Sequence, residues 1–312
     1  MPHQIVISEF MDLPAVDLLR GRFDVLYAPD YVKQRDQLLA AVRDIPALIV
    51  RNLTQVNREL LDAAPRLKVV GRLGVGLDNI DVDACAERGI QVIPATGANA
   101  LSVAEYTVCT AMMLLRTAYR STAAVAAGAW PKAELGRGRE IAGKTMGIIG
   151  YGSIGRLSAG LARPLGMQVI GNDINIPDSD PIWSATGVTA VPLATLLAES
   201  DVITLHVPLI ASTRNLLSAP NIAKMRAGAV LINTSRGGIV DEAALVAALR
   251  DGRLAGAALD VFEREPLAAS PLLTDVPNLL LTPHVAGITA ESNRRVSDMI
   301  ADEITKFMQS HA

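Results

Sequence analysis

The chain has 312 residues, enough for two domains of about 150 each, and with half of them hydrophobic and a fifth charged it can bury a large core, which excludes a disordered chain. A net charge of −3 argues against an electrostatic nucleic-acid binder, and two cysteines, Cys85 and Cys109, build neither a disulfide framework nor a four-cysteine zinc site. No run approaches the roughly 18 apolar residues of a membrane span, and residues 1–12 carry Glu9 and Asp12 with no basic stretch, so the expectation is a cytoplasmic α/β protein without a signal peptide.

From the N-terminus, five short apolar runs read as strands, at residues 5–7, 24–27, 47–50, 68–71 and 91–93. Helical spacing lies between them at 32–42, 58–63 and 82–87. Continuous apolar strands separated by helices predict a parallel sheet covered on both faces. Residues 94–99 are rich in breakers and read as a crossing between domains. Ser102 with Glu105 gives a capping-box signal for a long helix whose apolar face runs to about Ala127, where Gly128 and Pro131 stop it. A second βα series begins with a strand at 145–149 and continues with strands at 168–171, 202–207, 229–233, 256–261 and 279–282. It contains a helix at 242–250 that Gly252 ends. The last helix, from Ala290 to about Met308, follows all these strands. Packed back on the first domain it would make that domain discontinuous, so the expected domains are 1–97 with 288–312, and 98–287.

Gly150-Tyr151-Gly152-Ser153-Ile154-Gly155 matches the G-x-G-x-x-G fingerprint. The spacing alone is weak evidence, but here a strand precedes it and a helix from Ser153 to about Leu165 opens on it. In that setting Gly150 permits the tight turn, Gly152 lets backbone approach a pyrophosphate, and Gly155 lets helix and strand pack closely. Free N–H groups at the helix start, from Ser153 and Ile154, would hold the phosphates. Asp173 ends the next strand 23 residues after Gly150, close to the about 20 expected of a ribose-binding acid. Its neighbours Ile174, Asn175 and Ile176 include no cation for a 2′-phosphate, so NAD is favoured over NADP.

Four histidines are present, and His3 and His311 sit near the termini. His206 stands at the end of the strand at 202–207, either as a satisfied edge histidine or as a cofactor contact at the carboxyl edge where doubly wound sheets place ligands. His284 follows another strand and Pro283; held rigidly yet open, a histidine there suits proton exchange near neutral pH. Arg236, between flanking glycines after the strand at 229–233, is a candidate anion clamp. Residues 260–266 deliver Asp260, Glu263 and Glu265 in the same way. Arg, Glu and His at three strand ends of one parallel sheet, beside a nicotinamide, make a hydride-transfer site.

With the glycine loop and Asp173, Arg236 in its Asn-Thr-Ser-Arg-Gly-Gly loop, Asp260 to Pro266, and Pro283-His284, the chain resembles the D-2-hydroxyacid dehydrogenases over nearly its whole length. The resemblance implies a Rossmann NAD-binding domain, a flavodoxin-like substrate domain, a cleft between them, and a homodimer through the NAD-binding domain that includes the long helix. It implies direct hydride transfer between substrate C2 and the nicotinamide, with no metal. Arg236 would bind the substrate carboxylate and polarise the C2 carbonyl, His284 would exchange the hydroxyl proton, and Glu265 would orient His284. Asp260 would lie near the nicotinamide carboxamide, and the backbone N–H groups of Val75 and Gly76 would hold the carboxylate. Formate dehydrogenases of this fold carry Gln where Glu265 stands here.

Within the family the chain looks most like the phosphoglycerate dehydrogenase branch, through residues 49–56 and 71–81. There Arg51 and Arg72 would reach an anion on C3. A second anionic group needs a second cationic pocket, and Arg supplies forked donors for it. Residues 285–289, Val-Ala-Gly-Ile-Thr, depart from that branch, and the chain ends where many of its members continue into a regulatory domain. That leaves room for 3-sulfolactate, whose sulfonate presents oxygens much like a phosphate. A glyoxylate/hydroxypyruvate reductase, forming glycerate from hydroxypyruvate, is the enzymatic alternative. From another class, the C-terminal-binding-protein corepressors are similar and act as NAD-sensing dimeric scaffolds; the paired arginines favour an enzyme. Cys85 and Cys109 are expected to be buried apolar-like thiols.

Overall fold

A computed structural model describes residues 3–311. The chain forms two compact units, the first comprising the described residues up to Asn99 and from Ile288 onward, the second Ala100–Gly287. In the first, five parallel strands, β1 (Ile5–Ile7), β2 (Val25–Tyr27), β3 (Ala47–Val50), β4 (Val69–Arg72) and β5 (Gln91–Pro94), lie in the order β2-β1-β3-β4-β5. β1 and β3 are buried along their whole lengths, which is why they are continuous apolar runs rather than alternating ones. The final helix, Ala290–Ser310, contributes Val296, Ile300 and Ile304 to the apolar layer on one face of this sheet. A Cβ on Gly71 would meet Ile300 at 2.9 Å, so only glycine lets β4 and this helix lie so close. The helix starts at a capping box between Thr289 and Ser292.

The second unit holds seven parallel strands: β6 (Thr145–Ile149), β7 (Gln168–Asn172), β8 (Thr189–Ala190), β9 (Val202–Leu205), β10 (Val230–Asn233), β11 (Gly256–Leu259) and β12 (Leu279–Leu281). Their order, β12-β11-β10-β9-β6-β7-β8, is the doubly wound dinucleotide-binding order with one added strand. The chain's winding reverses between β6 and β9, and the reversal opens a crevice at their carboxyl ends. In the first unit the same reversal falls between β1 and β3. The edge strand β8 escapes sequence reading because it is only two residues long.

Two helices differ from expectation. The segment at 32–42 divides into a 3-10 turn at Pro29–Lys33 and a helix at Arg35–Ala41, interrupted at Gln34. The long helix runs from Ala100 to Arg116, not to Ala127, and Ser102 is buried inside it rather than capping it. Its end is set by tertiary structure: the Arg139 N–H donates to the Leu115 carbonyl at 2.9 Å, and Thr117 turns away at φ 58°. A separate short helix, Thr122–Ala126, follows. Among the described residues no helix is long and apolar enough to cross a membrane.

Candidate active site

In the second unit, β6 runs into Gly150 at φ 92°, a conformation open to glycine and strained for other residues. A Cβ there would strike the backbone carbonyl of His206 at the end of β9, so the loop crosses the reversal point where only glycine fits. Gly152 caps the helix Ser153–Ala162, and no side chain caps that end. A Cβ on Gly152 would meet nothing within 4 Å, so the loop presents bare backbone and a helix start to open space. This is the arrangement that receives a pyrophosphate.

Asp173 follows β7. One carboxylate oxygen accepts the Tyr151 N–H at 2.7 Å and the other accepts the Asn175 N–H at 2.8 Å. The glycine loop therefore holds the acid in place, and its remaining lone pairs are available to a ribose. Tyr151 itself is buried, stacked on Trp183 with ring centroids 4.5 Å apart. Its hydroxyl donates to Thr186 at 2.7 Å.

The His206 ring lies 3.1 Å from the Thr204 hydroxyl through Nε2, and burial pushes its pKa down to about 3, so the ring is neutral near pH 7. Its Nδ1 and the Thr234 Oγ1 are buried polar atoms that no group among the described residues satisfies. Both stand at the carboxyl edge, beyond β9 and β10. Such atoms are costly unless a ligand partners them. Together with the open backbone at Gly152, they fit a polar dinucleotide laid along this edge.

His284 and Glu265 meet directly: Nδ1 lies 2.6 Å from Oε2. The other Glu265 oxygen accepts the Phe262 N–H at 3.0 Å, which aims the carboxylate. This pairing sets Nδ1 as the N–H side of the ring and turns Nε2 outward. His284 takes φ 56°, a left-handed backbone that surrounding bonds must hold. Its N–H donates to the Asp260 carbonyl at 2.8 Å. The Asp260 carboxylate, 1% exposed, accepts the Thr282 hydroxyl at 2.6 Å and the N–H groups of Val285 and Ala286 at 2.8 and 2.9 Å. Tyr106 on the long helix extends the network, its hydroxyl 2.6 Å from that of Thr282. Asp260 thus anchors the loop that carries His284, a task its place in the sequence did not reveal.

Arg236 leaves β10 on a loop fixed from below. Asn233 donates to the Arg236 carbonyl at 2.9 Å and accepts the Ser235 N–H at 3.0 Å, while the Ser235 hydroxyl donates to the Leu205 carbonyl at 2.6 Å. The Arg236 Nη1 donates to the Ser235 carbonyl at 2.6 Å. Arg236, Glu265 and His284 therefore come off β10, β11 and β12, three neighbouring strands, at one carboxyl edge.

The first unit has its own polar edge. Arg51 follows β3 and Arg72 ends β4, and the register pairs Val50 with Arg72, so the two arginines lie at the carboxyl ends of adjacent strands, one residue out of register. Arg72 Nη1 donates to the Leu73 carbonyl at 3.1 Å, and its guanidinium lies over Gly74, which has φ 146° and no room for a Cβ. Val75 is exposed, and among the described residues no chain acceptor takes the N–H of Val75 or Gly76. Sequence reading missed Glu9, a carboxylate only 4% exposed that accepts four backbone N–H groups, those of Arg51, Asn52, Leu53 and Thr54, at 2.8 to 3.2 Å. Its signal was present: an acid two residues past a wholly apolar strand. Of the thiols, Cys85 is buried and Cys109 is exposed, against the expectation for the second.

The seven-stranded sheet, the open glycine loop and the acid after β7 define a dinucleotide-binding oxidoreductase domain. Residues 108–286 match the family described as D-isomer specific 2-hydroxyacid dehydrogenase, NAD binding domain. The chain is 51% identical to an (S)-sulfolactate dehydrogenase of Chromohalobacter salexigens over 97% of this chain and 98% of that one. It is 38% identical to a D-3-phosphoglycerate dehydrogenase of Methanocaldococcus jannaschii over 98% of this chain, spanning 57% of that longer protein. Its fold matches a D-lactate dehydrogenase from Aquifex aeolicus, solved with NAD and lactic acid, with a TM-score of 0.83 and 28% identity, over 98% of this chain and 95% of that one. The chain belongs to the D-isomer specific 2-hydroxyacid dehydrogenases, enzymes that use NAD.

Asp173→Ala is expected to weaken NADH use and to lower the preference for NADH over NADPH roughly 10- to 100-fold, the worth of a hydrogen bond to a charged group. The ratio of kcat/KM for the two cofactors isolates this effect from loosening of the glycine loop. An unchanged ratio would remove Asp173 from cofactor choice.

Proposed function

We propose that this chain oxidises and re-forms a three-carbon D-2-hydroxyacid that carries a second anion on C3, with 3-sulfolactate first and 3-phosphoglycerate second. The observation that carries this is the placing of Arg51 and Arg72 at the carboxyl ends of the adjacent strands β3 and β4. Two guanidinium forks at one sheet edge match a group with several anionic oxygens, and an uncharged C3 hydroxyl gives them nothing to neutralise. The sulfolactate dehydrogenase relative supports the sulfonate. Its (S) descriptor agrees with a D-specific family, because sulfur raises the CH2SO3 arm above the carboxylate in priority and reverses the label without moving an atom.

NAD, when bound, accepts or returns the hydride at the nicotinamide. Arg236 binds the C1 carboxylate and stabilises charge on the C2 oxygen, aided by the N–H groups of Val75 and Gly76. His284 takes the C2 hydroxyl proton at Nε2 during oxidation and returns it during reduction, with Glu265 holding Nδ1–H throughout. Gly150, Gly152, Ser153, Ile154 and Gly155 hold the pyrophosphate, and Asp173 the ribose. Thr234 and His206 supply polar atoms along the same edge, and Asp260 fixes the loop beside them.

The same reading includes a homodimer through the NAD-binding unit, supported by exposed Tyr119, Val125 and Trp130 after the long helix. It includes a cytoplasmic location, supported by two unpaired thiols.

The test is initial rates of NADH oxidation with 3-sulfopyruvate, 3-phosphohydroxypyruvate and hydroxypyruvate, in the unaltered chain and in an Arg51→Ala, Arg72→Ala double variant. The acids with a C3 anion are expected to win, and the double variant to lose that advantage by roughly 100-fold or more, from two charge-assisted contacts. Preference for hydroxypyruvate, indifferent to the double substitution, would make the chain a reductase of acids uncharged at C3.

A further inference from the structure

We propose that Glu9, Phe10 and Asn293 are positioning residues that hold the Arg51 guanidinium in place for the C3 anion, an inference that rests on the function proposed above. The reversal between β1 and β3 creates the crevice in which doubly wound sheets of this strand order bind ligands. At that point the loop after β3 turns four successive N–H groups, Arg51 to Thr54, toward one spot. Such a cluster of amides is an anion nest. Here the chain fills it with its own anion, the Glu9 carboxylate from the end of β1. An external anion is therefore shut out of the nest and must be met by side chains.

Arg51 is the side chain placed to meet it. Its Nη2 donates to the Asn293 side-chain oxygen at 3.0 Å, from the first turn of the last helix. Its guanidinium carbon lies 5.7 Å from the centre of the Phe10 ring, within reach of a cation–π contact. Burial disfavours the Arg51 charge and the nearby Glu9 carboxylate offsets this only in part. A cation held in that state gains from a multiply charged ligand. Asn293 occupies one donor of the fork and leaves others for that ligand. The three supports, Glu9, Phe10 and Asn293, and the Arg51 they hold are brought together within a single compact unit.

The experiment uses the full-length chain and compares kcat and KM for 3-sulfopyruvate and hydroxypyruvate in Asn293→Ala, Phe10→Leu, Glu9→Gln and Arg51→Ala. Positioning predicts that Asn293→Ala and Phe10→Leu raise the KM for 3-sulfopyruvate relative to that for hydroxypyruvate, by roughly tenfold for Asn293→Ala, the usual cost of losing a support behind a ligand-binding group. Glu9→Gln keeps the shape but offers one acceptor oxygen where two are used, and is expected to give a larger shift in the same ratio. Should Glu9→Gln fail to fold, the other two variants still decide the matter. If Arg51→Ala removes the preference for 3-sulfopyruvate while Asn293→Ala and Phe10→Leu keep it, the positioning proposal is overturned and the substrate reading stands. If Arg51→Ala itself leaves the preference intact, the substrate reading falls with it. Equal loss with both acids in the three supporting variants would show a purely structural role and overturn the proposal.

Discussion

His284→Ala is expected to lower kcat/KM roughly 10²- to 10⁴-fold, the range over which a positioned acid–base group accelerates proton transfer, while NADH binding stays close to that of the unaltered chain. The reason lies in how the ring is held. Glu265 takes Nδ1 at 2.6 Å and is itself aimed by the Phe262 N–H, so Nε2 is the atom left for the proton exchange proposed above. The loop behind the ring is held by Asp260 through three donors and by the contact of Thr282 with Tyr106. Those bonds involve no atom of the imidazole, so removing the ring should leave the loop standing. Glu265→Gln retains the shape and loses the charge, and is expected to fall between the two, roughly 10- to 100-fold below the unaltered chain. The measurement is steady-state reduction of the preferred 2-oxoacid beside fluorescence titration of NADH. Turnover within a fewfold of normal in His284→Ala would remove it as the proton donor.

The parts of this molecule legible in its sequence are those whose cause is local. Ile5–Ile7 and Ala47–Val50 declare themselves because a parallel strand buried on both faces is continuously apolar. The glycine loop declares itself because the turn, the open backbone and the helix start all fall within six residues. Arg236 and His284 stood out as polar residues directly after such strands. What stayed hidden depends on residues far apart in the chain. Glu9 reaches amides 42 to 45 positions away, and Arg51 meets Asn293 across 242 positions. Tyr106 and Thr282, 176 apart, carry no local pattern at all. The end of the long helix is hidden for the same reason, since the Arg139 amide that accompanies it lies outside the helical pattern. Asp260 was visible as a strand-end acid, but its task depends on the fold of the following turn, which no spacing encodes.

Arg236→Ala is expected to cost more than any other single substitution in this site, because two separate effects end together. In the proposed role, the substrate carboxylate would lose a charge-assisted, forked contact worth about 1.5–3 kcal/mol. In the same role, the C2 oxygen would lose a donor for the charge it develops, a change that lowers turnover roughly 10²- to 10³-fold in comparable sites. A combined fall of roughly 10³- to 10⁵-fold in kcat/KM follows if the two act independently. Arg236→Lys separates them. A lysine keeps the charge but reaches with a single ammonium instead of a planar fork, so KM should recover more than kcat. The fold should tolerate both variants. The loop is fixed chiefly by the Asn233 side chain, the Ser235 N–H and the Ser235 hydroxyl, to which the guanidinium adds a bond to the Ser235 carbonyl. Melting temperatures of the two variants are therefore expected to match that of the unaltered chain. A near-normal kcat/KM in Arg236→Ala would mean that the carboxylate and the charge on the C2 oxygen are both met by other donors.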